Sequence, residues 1–340
     1  MRILMHTRFH PNFGGIETVA LLLAQEWHKS GHAVTVVTDV AHDPARPDDF
    51  PFPVYHRPGV MKWLRLMRGT DVFVHMNISL WAFWPLLLVR RPFVAVNHAY
   101  YHSNDEGDVF WREKLKRKLM TFADANIAVS QAVERELGKQ DAVIANPVDL
   151  SLFKNDTTTP RERELAFLGR LVVHKGCNIL LHALQKLRAR GLRPRLTIIG
   201  KGPERENFDK LSHELGLDEQ VTFAGSPSSE EVRRILNRHQ IMVVPSTWEE
   251  SFGVVALEGE ACGCVVVASH AGGLPEAVGP AGMTFKRGDA DDLAEKLQWL
   301  LEDSTRMKPF LEANPAHLAL HRPEAVAARY LEVFQRVLKK

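Results

Sequence analysis

Cysteine is scarce, with only Cys177, Cys262 and Cys264 in 340 residues. An odd number, with one close pair inside an apolar segment, excludes a disulfide framework and falls short of four zinc ligands. The three read as reduced core residues. Net charge is also nearly absent, at +2. Splitting the chain at residue 150 leaves 17 Lys and Arg against 16 Asp and Glu in the first part and 26 against 25 in the second. Neither part carries the basic field that nucleic-acid binding requires, so no nucleic-acid partner is expected. No apolar run approaches the roughly 20 residues that span a bilayer, and the longest, Leu80 to Val89, is interrupted by Pro85. The sequence opens on the strand-like Arg2-Ile3-Leu4-Met5 without the pattern of a secretory leader. A cytoplasmic location is expected.

What is present is a hydrophobic content of 45% with 25% charged residues, ordinary for a folded soluble chain, and a length that suits two domains rather than one. Strand-like apolar runs alternate with amphipathic helical patterns, the sequence form of parallel sheets covered by helices. Strands are expected at 3–6, 33–38, 72–75, 93–97, 126–129 and 143–145. A polar stretch, 154–164, then has the composition of a linker. A second series follows at 165–168, 196–199, 221–223, 241–244, 265–268 and 283–285. The fold class is therefore α/β, with two doubly wound, Rossmann-like parallel sheets, and the expected domains are 1–155 and 156–322, with a last helix over 323–340. Ligands of such sheets bind beyond the carboxyl ends of the strands. Gly14-Gly15, His98 and Ser130 fall there in the first domain, and Arg170, Gly200 to Glu204 and Glu250 in the second.

The most informative stretch runs from Pro245 to Glu276. The buried run Ile241 to Val244 is ended by Pro245 and Ser246, and a helix is expected to start near Ser251 or Phe252, with its free N–H groups facing the loop where an anion would be welcome. Two carboxylates, Glu250 and Glu258, flank that start. Glu258 interrupts the apolar run Phe252, Val254, Val255, Leu257, so an ionised carboxylate there needs hydrogen-bond donors, such as the diol of a ribose.

A Glu, seven residues and a second Glu, as at Glu250 and Glu258, resembles the hallmark of the retaining glycosyltransferases of family GT4, whose fold is called GT-B. The likeness extends along most of the chain: Gly14-Gly15, Val129-Ser130, Asn146-Pro147-Val148-Asp149 before Phe153, Gly169-Arg170-Leu171 before Lys175-Gly176, Gly200-Lys201-Gly202-Pro203-Glu204, and Gly272-Gly273-Leu274-Pro275-Glu276. It implies two domains facing each other across a cleft, the first holding the acceptor, the second a nucleotide-diphosphate sugar, with the final helix packing back on the first.

The resemblance also implies roles. Arg170 and Lys175 lie on the diphosphate, where fixed cations replace a metal in stabilising the leaving group. No Asp-x-Asp pair stands at a strand end: Asp48-Asp49 lies in a Pro-rich loop and Asp291-Asp292 reads as a helix start. No metal or other cofactor is expected. Glu258 accepts from the ribose hydroxyls, Glu250 lies beside the donor sugar, and the backbone of Ser251, Phe252, Gly253 and Val254 meets phosphate or sugar oxygens. Gly14 and Gly15 let the first loop approach the diphosphate and sugar, Ser226 is a base contact, and His98 lies near the sugar, where it can bond a hydroxyl. His6, His10 and His102 are candidate acceptor contacts. Gly259, where relatives usually carry Ala, costs about 1 kcal/mol in a helix interior, and Glu260 is expected to be a solvated third carboxylate. The favoured family account is front-face attack with the departing phosphate taking the acceptor proton, so chemistry depends on positioning.

Two basic amphipathic segments, Arg57 to Arg68 and Arg112 to Lys118, either cover the first domain's core or lie on an anionic membrane face. The second case suits a lipid-linked acceptor; a glycan or small molecule is the alternative, and the donor is expected to be a UDP-sugar, with GDP-mannose next. Rival readings are a nucleotide-sugar epimerase of the same fold and a non-catalytic nucleotide or carbohydrate-binding protein. An NAD-dependent oxidoreductase is disfavoured, because the first loop, His6 to Gly15, lacks the dinucleotide glycine pattern.

Overall fold

The structure, a computed structural model, describes residues 1–9, 14–45, 48–100 and 111–339. The chain divides into two compact units, Met1–Pro147 with His321–Lys340, and Val148–Leu320.

Unit 1 is built on seven strands: β1 Arg2–His6, β2 Ala33–Thr38, β3 Val54–His56, β4 Val72–Met76, β5 Phe93–Asn97, β6 Ala125–Ala128 and β7 Ala142–Val143. Their order is β3-β2-β1-β4-β5-β6-β7 and every pairing is parallel. The winding direction therefore reverses between β1 and β4. β4 and β5 are buried at every residue, which is why they read as unbroken apolar runs rather than alternating ones. β3 escaped the sequence reading because it is a three-residue, half-buried edge strand directly after Pro51-Phe52-Pro53.

The helix Gly15–Lys29 buries Val19, Leu22, Leu23 and Trp27 at helical spacing. Trp27 is fully buried. Its indole N–H donates to the Ala327 carbonyl at 3.2 Å, and its ring meets Tyr330 and Phe334 edge-on at 5.9 and 5.2 Å. This aromatic cluster, with one satisfied polar handle, holds the last helix, Pro323–Leu338, against the first helix of the same unit.

Unit 2 has six strands: β8 Arg163–Leu168, β9 Leu196–Ile199, β10 Val221–Gly225, β11 His239–Val244, β12 Val265–Ser269 and β13 Gly282–Phe285. They are parallel throughout in the order β10-β9-β8-β11-β12-β13, so here the reversal lies between β8 and β11. Leu165, Phe167, Ile198, Val243 and Val267 of the sheet pack with Leu180, Leu184 and Leu187 of the helix Cys177–Ala189 and Leu293 and Leu297 of Ala290–Glu302. Asp289 caps that last helix by accepting from the N–H groups of Asp291 and Asp292. The three cysteines are free and buried, and burial pushes the Cys177 and Cys264 thiols up to about 12 and about 11, which leaves them unreactive thiols.

The stretch 154–164, expected to be a linker, is instead fastened to unit 2. The Asp156 N–H donates to Asn237 Oδ1 at 2.6 Å, the Asn237 amide donates to the Lys154 carbonyl at 3.0 Å, and Arg161 donates to the carbonyls of His239 and Cys262. Asp156 itself closes a turn through Thr158 and Thr159, and those hydrogen bonds hold its carboxyl at about 2. Its polar composition reflects turn chemistry, and residues 148–155 consequently belong to unit 2 rather than to the first domain.

Candidate active site

Arg170, Lys175 and Glu250 lie where the sheet of unit 2 reverses. After β8 the chain passes Gly169 and Arg170, makes a short 3-10 turn, Val173–Lys175, and enters the helix Cys177–Ala189 through Gly176. Gly176 takes φ +72°, and a Cβ on it would lie 1.8 Å from the Pro245 carbonyl oxygen. Only glycine fits. This close approach lets the Thr247 N–H donate to the His174 carbonyl at 2.9 Å, which ties the loop after β8 to the loop after β11. Gly200 and Gly202 serve the same seam from β9: a Cβ on either would meet the Gly169 or Leu171 carbonyl oxygen within 1.9 or 2.2 Å. The glycines of this motif are explained by backbone crowding.

Across the seam the Lys175 ammonium donates to Glu250 Oε1 at 2.5 Å, and the Ser246 hydroxyl donates to the same oxygen at 2.7 Å. Ser246 is held in turn by Ser269, whose hydroxyl donates to its carbonyl at 2.6 Å. Lys175 and Glu250 are both about one-quarter exposed, so a ligand can reach them. The cations are felt locally: the His174 pKa is lowered by partial burial and then by Lys175 and Arg170. Arg170 is exposed beside this pair. The arrangement is a pair of cations with the Glu250 carboxylate as counter-charge, able to exchange that carboxylate for phosphate oxygens.

The helix after β11 is Val254–Ala261, starting two or three residues later than expected. Gly253 forces the delay: it sits at φ +105°, outside helical geometry, and a Cβ there would strike Leu274 Cδ2 at 2.4 Å. Gly273 has equally little room, its Cβ position lying 2.5 Å from the Ser251 carbonyl oxygen, and its N–H donates to the Glu250 carbonyl at 2.6 Å. Ser251, Phe252 and Gly253 therefore form a fixed strap ahead of the first helical residue, Val254, with Phe252 buried. The first four N–H groups of a helix have no partner one full turn back, and here the Ala256 N–H turns onto the Gly253 carbonyl at 2.9 Å.

Glu258 stands in the second turn of that helix and is half-buried. Loss of water, and secondarily the negative charge of Asp149, push its carboxyl up to about 7. Asp149 is held by Ser151 and Leu152, which gives the motif Asn146 to Asp149 before Phe153 a place beside the site. Gly259 lies close on β11: a Cβ there would come 2.5 Å from Met242 Sδ, so an alanine requires the methionine side chain to shift. The expectation that Glu260 is solvated is wrong. It is fully buried on the opposite side, 3.6 Å from His317 Nε2, its backbone carbonyl receives the Asn314 amide at 2.7 Å, and desolvation raises its carboxyl to about 9.

Ser226 is exposed after the edge strand β10, away from the β8–β11 reversal. Next to it the reading missed Arg205, whose guanidinium lies 3.6 Å from the centroid of the Phe223 ring, a stack that no local spacing announces. Ser246 and His174 were also missed, although Ser246 follows the strand-ending Pro245 directly. The other expected residues belong to unit 1. Gly14 caps the first helix with its N–H donating to Glu17 at 3.0 Å; neither Gly14 nor Gly15 takes a positive φ, and a Cβ on Gly15 would meet nothing within 4 Å, whereas one on Gly14 would lie 2.8 Å from Glu17 Oε2. His98 follows β5, buried, with its N–H donating to Asn77 Oδ1 at 2.7 Å and its Nε2 without a partner among the described residues. Burial holds the ring neutral with a pKa near about 3. His10 and His102 lie outside the described residues.

The Glu258 shift has a testable sign. An acid whose folded pKa exceeds its unfolded value destabilises the fold as pH rises, here from the ordinary value of 4.5 to about 7, by on the order of 3 kcal/mol at 1.36 kcal/mol per unit. Glu258→Gln is therefore expected to gain stability relative to the unaltered protein between pH 4.5 and pH 8, read by urea denaturation at both values. A gap that stays constant, or narrows, contradicts the environment described.

Comparison with known proteins agrees with this geometry. Residues 151–315 match the family described as glycosyl transferases group 1, and residues 13–152 match glycosyltransferase family 4. The phosphatidylinositol N-acetylglucosaminyltransferase gpi3 subunit of Schizosaccharomyces pombe is 26% identical over 87% of this chain and 71% of its own length. A D-inositol 3-phosphate glycosyltransferase of Corynebacterium aurimucosum is 30% identical over 73% of this chain and 65% of its own. Among solved structures, Anabaena HepE in complex with UDP and glucose superposes with a TM-score of 0.80 at 21% identity, over 98% of this chain and 99% of that one. Sucrose-phosphate synthase of Thermosynechococcus elongatus gives 0.82 at 20%, over 99% of both. These likenesses establish the GT-B fold, and together with the two matched families they show that the chain belongs to the GT4-type glycosyltransferases, which use nucleotide sugars.

Proposed function

We propose that this glycosyltransferase moves a hexose or N-acetylhexosamine, with retention, from a UDP-sugar to an acceptor hydroxyl, without a metal ion; GDP-mannose is the second donor choice. Unit 2 holds the donor and unit 1 the acceptor. The observation that carries the reading is the convergence of Arg170 and the Lys175–Glu250 pair around His174 at the β8–β11 reversal, the place where an open parallel sheet binds its ligand.

Each group then has a task that its surroundings support. When the sugar bond breaks, negative charge grows on the diphosphate, and Arg170 and Lys175 are the fixed cations placed to meet it, with the strap Ser251 to Val254 adding N–H dipoles. Lys175 exchanges Glu250 for phosphate, and the released Glu250 accepts from a donor-sugar hydroxyl. Glu258, costly to ionise when empty, gains two donors from a ribose diol. In unit 1, Gly14 and Gly15 leave room for the donor's phosphate and sugar, and the neutral His98 is kept for a sugar hydroxyl. The bond made is between the anomeric carbon and the acceptor oxygen, whose proton passes to the departing phosphate.

Peripheral contact with an anionic membrane, suited to a lipid-linked acceptor, is the second part of the proposal; a glycan or small molecule remains the alternative. No helix among the described residues is long and apolar enough to cross a membrane. In the helix Val60–Arg68, Trp63 and Met67 face the core, whereas Val60 and Met61 are 59% and 73% exposed. The helix packed against it, Pro85–Leu88, leaves Leu87 and Leu88 74% and 68% exposed. Cations Lys62, Arg65, Arg68 and Arg90 accompany them, with no acid from residue 72 to 104. Apolar tips with cations are the pattern that lies in an anionic interface. In the second segment Trp111 and Phe122 are likewise exposed, while Met120 is buried.

Two measurements check these statements. Thermal melting with UDP-, GDP-, ADP- and TDP-sugars is expected to show selective stabilisation by UDP-sugars, lost in Glu258→Ala, while Lys175→Ala and Arg170→Ala slow transfer by about 100-fold or more; unchanged turnover in all three variants sinks the site. Flotation with phosphatidylglycerol vesicles is expected to carry the protein up, phosphatidylcholine vesicles not, and a Met61→Glu, Leu87→Glu double variant is expected to stay down. Equal flotation of that variant rules out this membrane face.

A further inference from the structure

The helix that carries Glu258 is covered by the helix Lys308–Leu320. Their contact buries three oxygen atoms, Glu260 Oε1, Glu260 Oε2 and Asn314 Oδ1, that have no hydrogen-bond partner among the described residues. We propose that Glu260 is a positioning residue: it holds its proton in the folded protein, donates it to Asn314 Oδ1, and so latches the helix Val254–Ala261 in the place from which Glu258 serves the donor. The last part of this statement rests on the donor reading above.

The geometry asks for a proton. Glu260, Asn314 and His317 are all buried, and the Asn314 amide nitrogen is already committed to the Glu260 backbone carbonyl at 2.7 Å. What remains of Asn314 is its oxygen, an acceptor. An ionised carboxylate is also an acceptor only, so the two side chains cannot satisfy each other while Glu260 is charged. A carboxylic acid carries one O–H donor, and that single proton turns the mismatch into a hydrogen bond. Buried polar atoms are normally paired in this way. His317 does not supply the missing donor: its Nε2 donates to the Ala277 carbonyl at 2.8 Å and stands 3.6 Å from Glu260 Oε2, beyond hydrogen-bond length. The ring is seated where Gly279 has no side chain, since a Cβ there would come 2.4 Å from His317 Cε1.

The elements packed most closely on this helix are β11, β12, the helix Leu274–Val278 and the helix Lys308–Leu320. β12 has no titratable residue, and His239, the one in β11, is taken by the Ile235 carbonyl and Thr197. The helix Leu274–Val278 contributes Glu276, an acid like Glu260 itself. In the covering helix Lys308 and Glu312 pair with each other at the surface, which leaves His317 as the imidazole beside Glu260. Loss of water raises the Glu260 carboxyl to about 9, in keeping with the proton that the geometry requires. Two residues apart on an α-helix, Glu258 and Glu260 point to nearly opposite faces. The latch therefore acts on Glu258 through the helix backbone and not by contact.

The test is the pH dependence of urea unfolding and of UDP affinity, the latter by calorimetry, for the full chain unaltered and with Glu260→Gln or Glu260→Leu. Glutamine carries a permanent N–H donor in place of the acid O–H; leucine fills the space with none. An acid raised on folding loses stability as pH climbs from its ordinary 4.5 to its folded value of about 9. The unfolding midpoint of the unaltered protein is therefore expected to fall relative to Glu260→Gln between pH 5 and pH 9 and to level off above. UDP affinities of these two are expected to agree within about 2-fold at pH 7 and to part by about 10-fold or more at pH 10; their ratio removes any change in UDP itself. Glu260→Leu is expected to bind UDP about 10-fold more weakly than Glu260→Gln at pH 7, and the Gln comparison decides alone if the leucine variant does not fold. A midpoint gap that stays constant with pH, equal UDP affinities of the unaltered protein and Glu260→Gln at pH 10, or Glu260→Leu binding as tightly as Glu260→Gln overturns the proposal. If the unaltered protein binds no UDP at pH 7, the donor reading fails instead, and the midpoints alone decide whether Glu260 holds the proton.

Discussion

The contact between Gly176 and the Pro245 carbonyl governs the donor side of this molecule. Because no side chain intervenes, the loop after β8 lies directly on the loop after β11, and the two strands on either side of the reversal deliver their functional groups to one place. Lys175 can reach Glu250 only because this seam is closed. Gly200, Gly202, Gly253 and Gly273 repeat the device, each leaving space that a neighbouring carbonyl or side chain occupies. The scaffold is thus made rigid by backbone-to-backbone proximity, which is the kind of support that holds catalytic groups to small tolerances.

Under the proposed function the electrostatics of that scaffold suits an anion. Arg170 and Lys175 stand with the Glu250 carboxylate, and the second carboxylate of the pair, Glu258, is raised towards neutrality by its surroundings. The ligand proposed brings negative phosphates to the first and hydroxyl donors to the second. Glu260 follows the same physics inside the core, where desolvation raises its carboxyl.

Much of this was legible in the chain, and the reasons differ by residue. Buried parallel strands such as β4 and β11 read clearly because every residue is apolar, while β3 did not, being three residues long at an edge after two prolines. Glu250 and Glu258 stood out because carboxylates in an apolar context need an explanation. Glu260 was misplaced because helical spacing alone does not say that the helix Lys308–Leu320 covers its far side, where Asn314 and His317 lie. Gly259 looked like a weakness until the Met242 sulfur was placed against it. The stretch 154–164 looked like a linker because turn residues and linker residues share a composition.

The central claim, that Glu258 receives the ribose diol of the donor nucleotide, is tested most directly by the affinities of UDP and 2′,3′-dideoxy-UDP for the unaltered protein and for Glu258→Ala, determined by calorimetry as a double-mutant cycle. Removing the hydroxyls is predicted to weaken binding to the unaltered protein by about 10-fold or more and to make little difference once Glu258 is gone. Equal losses in both proteins would show that the carboxylate and the diol do not meet, and would contradict the placement of the nucleotide on this helix.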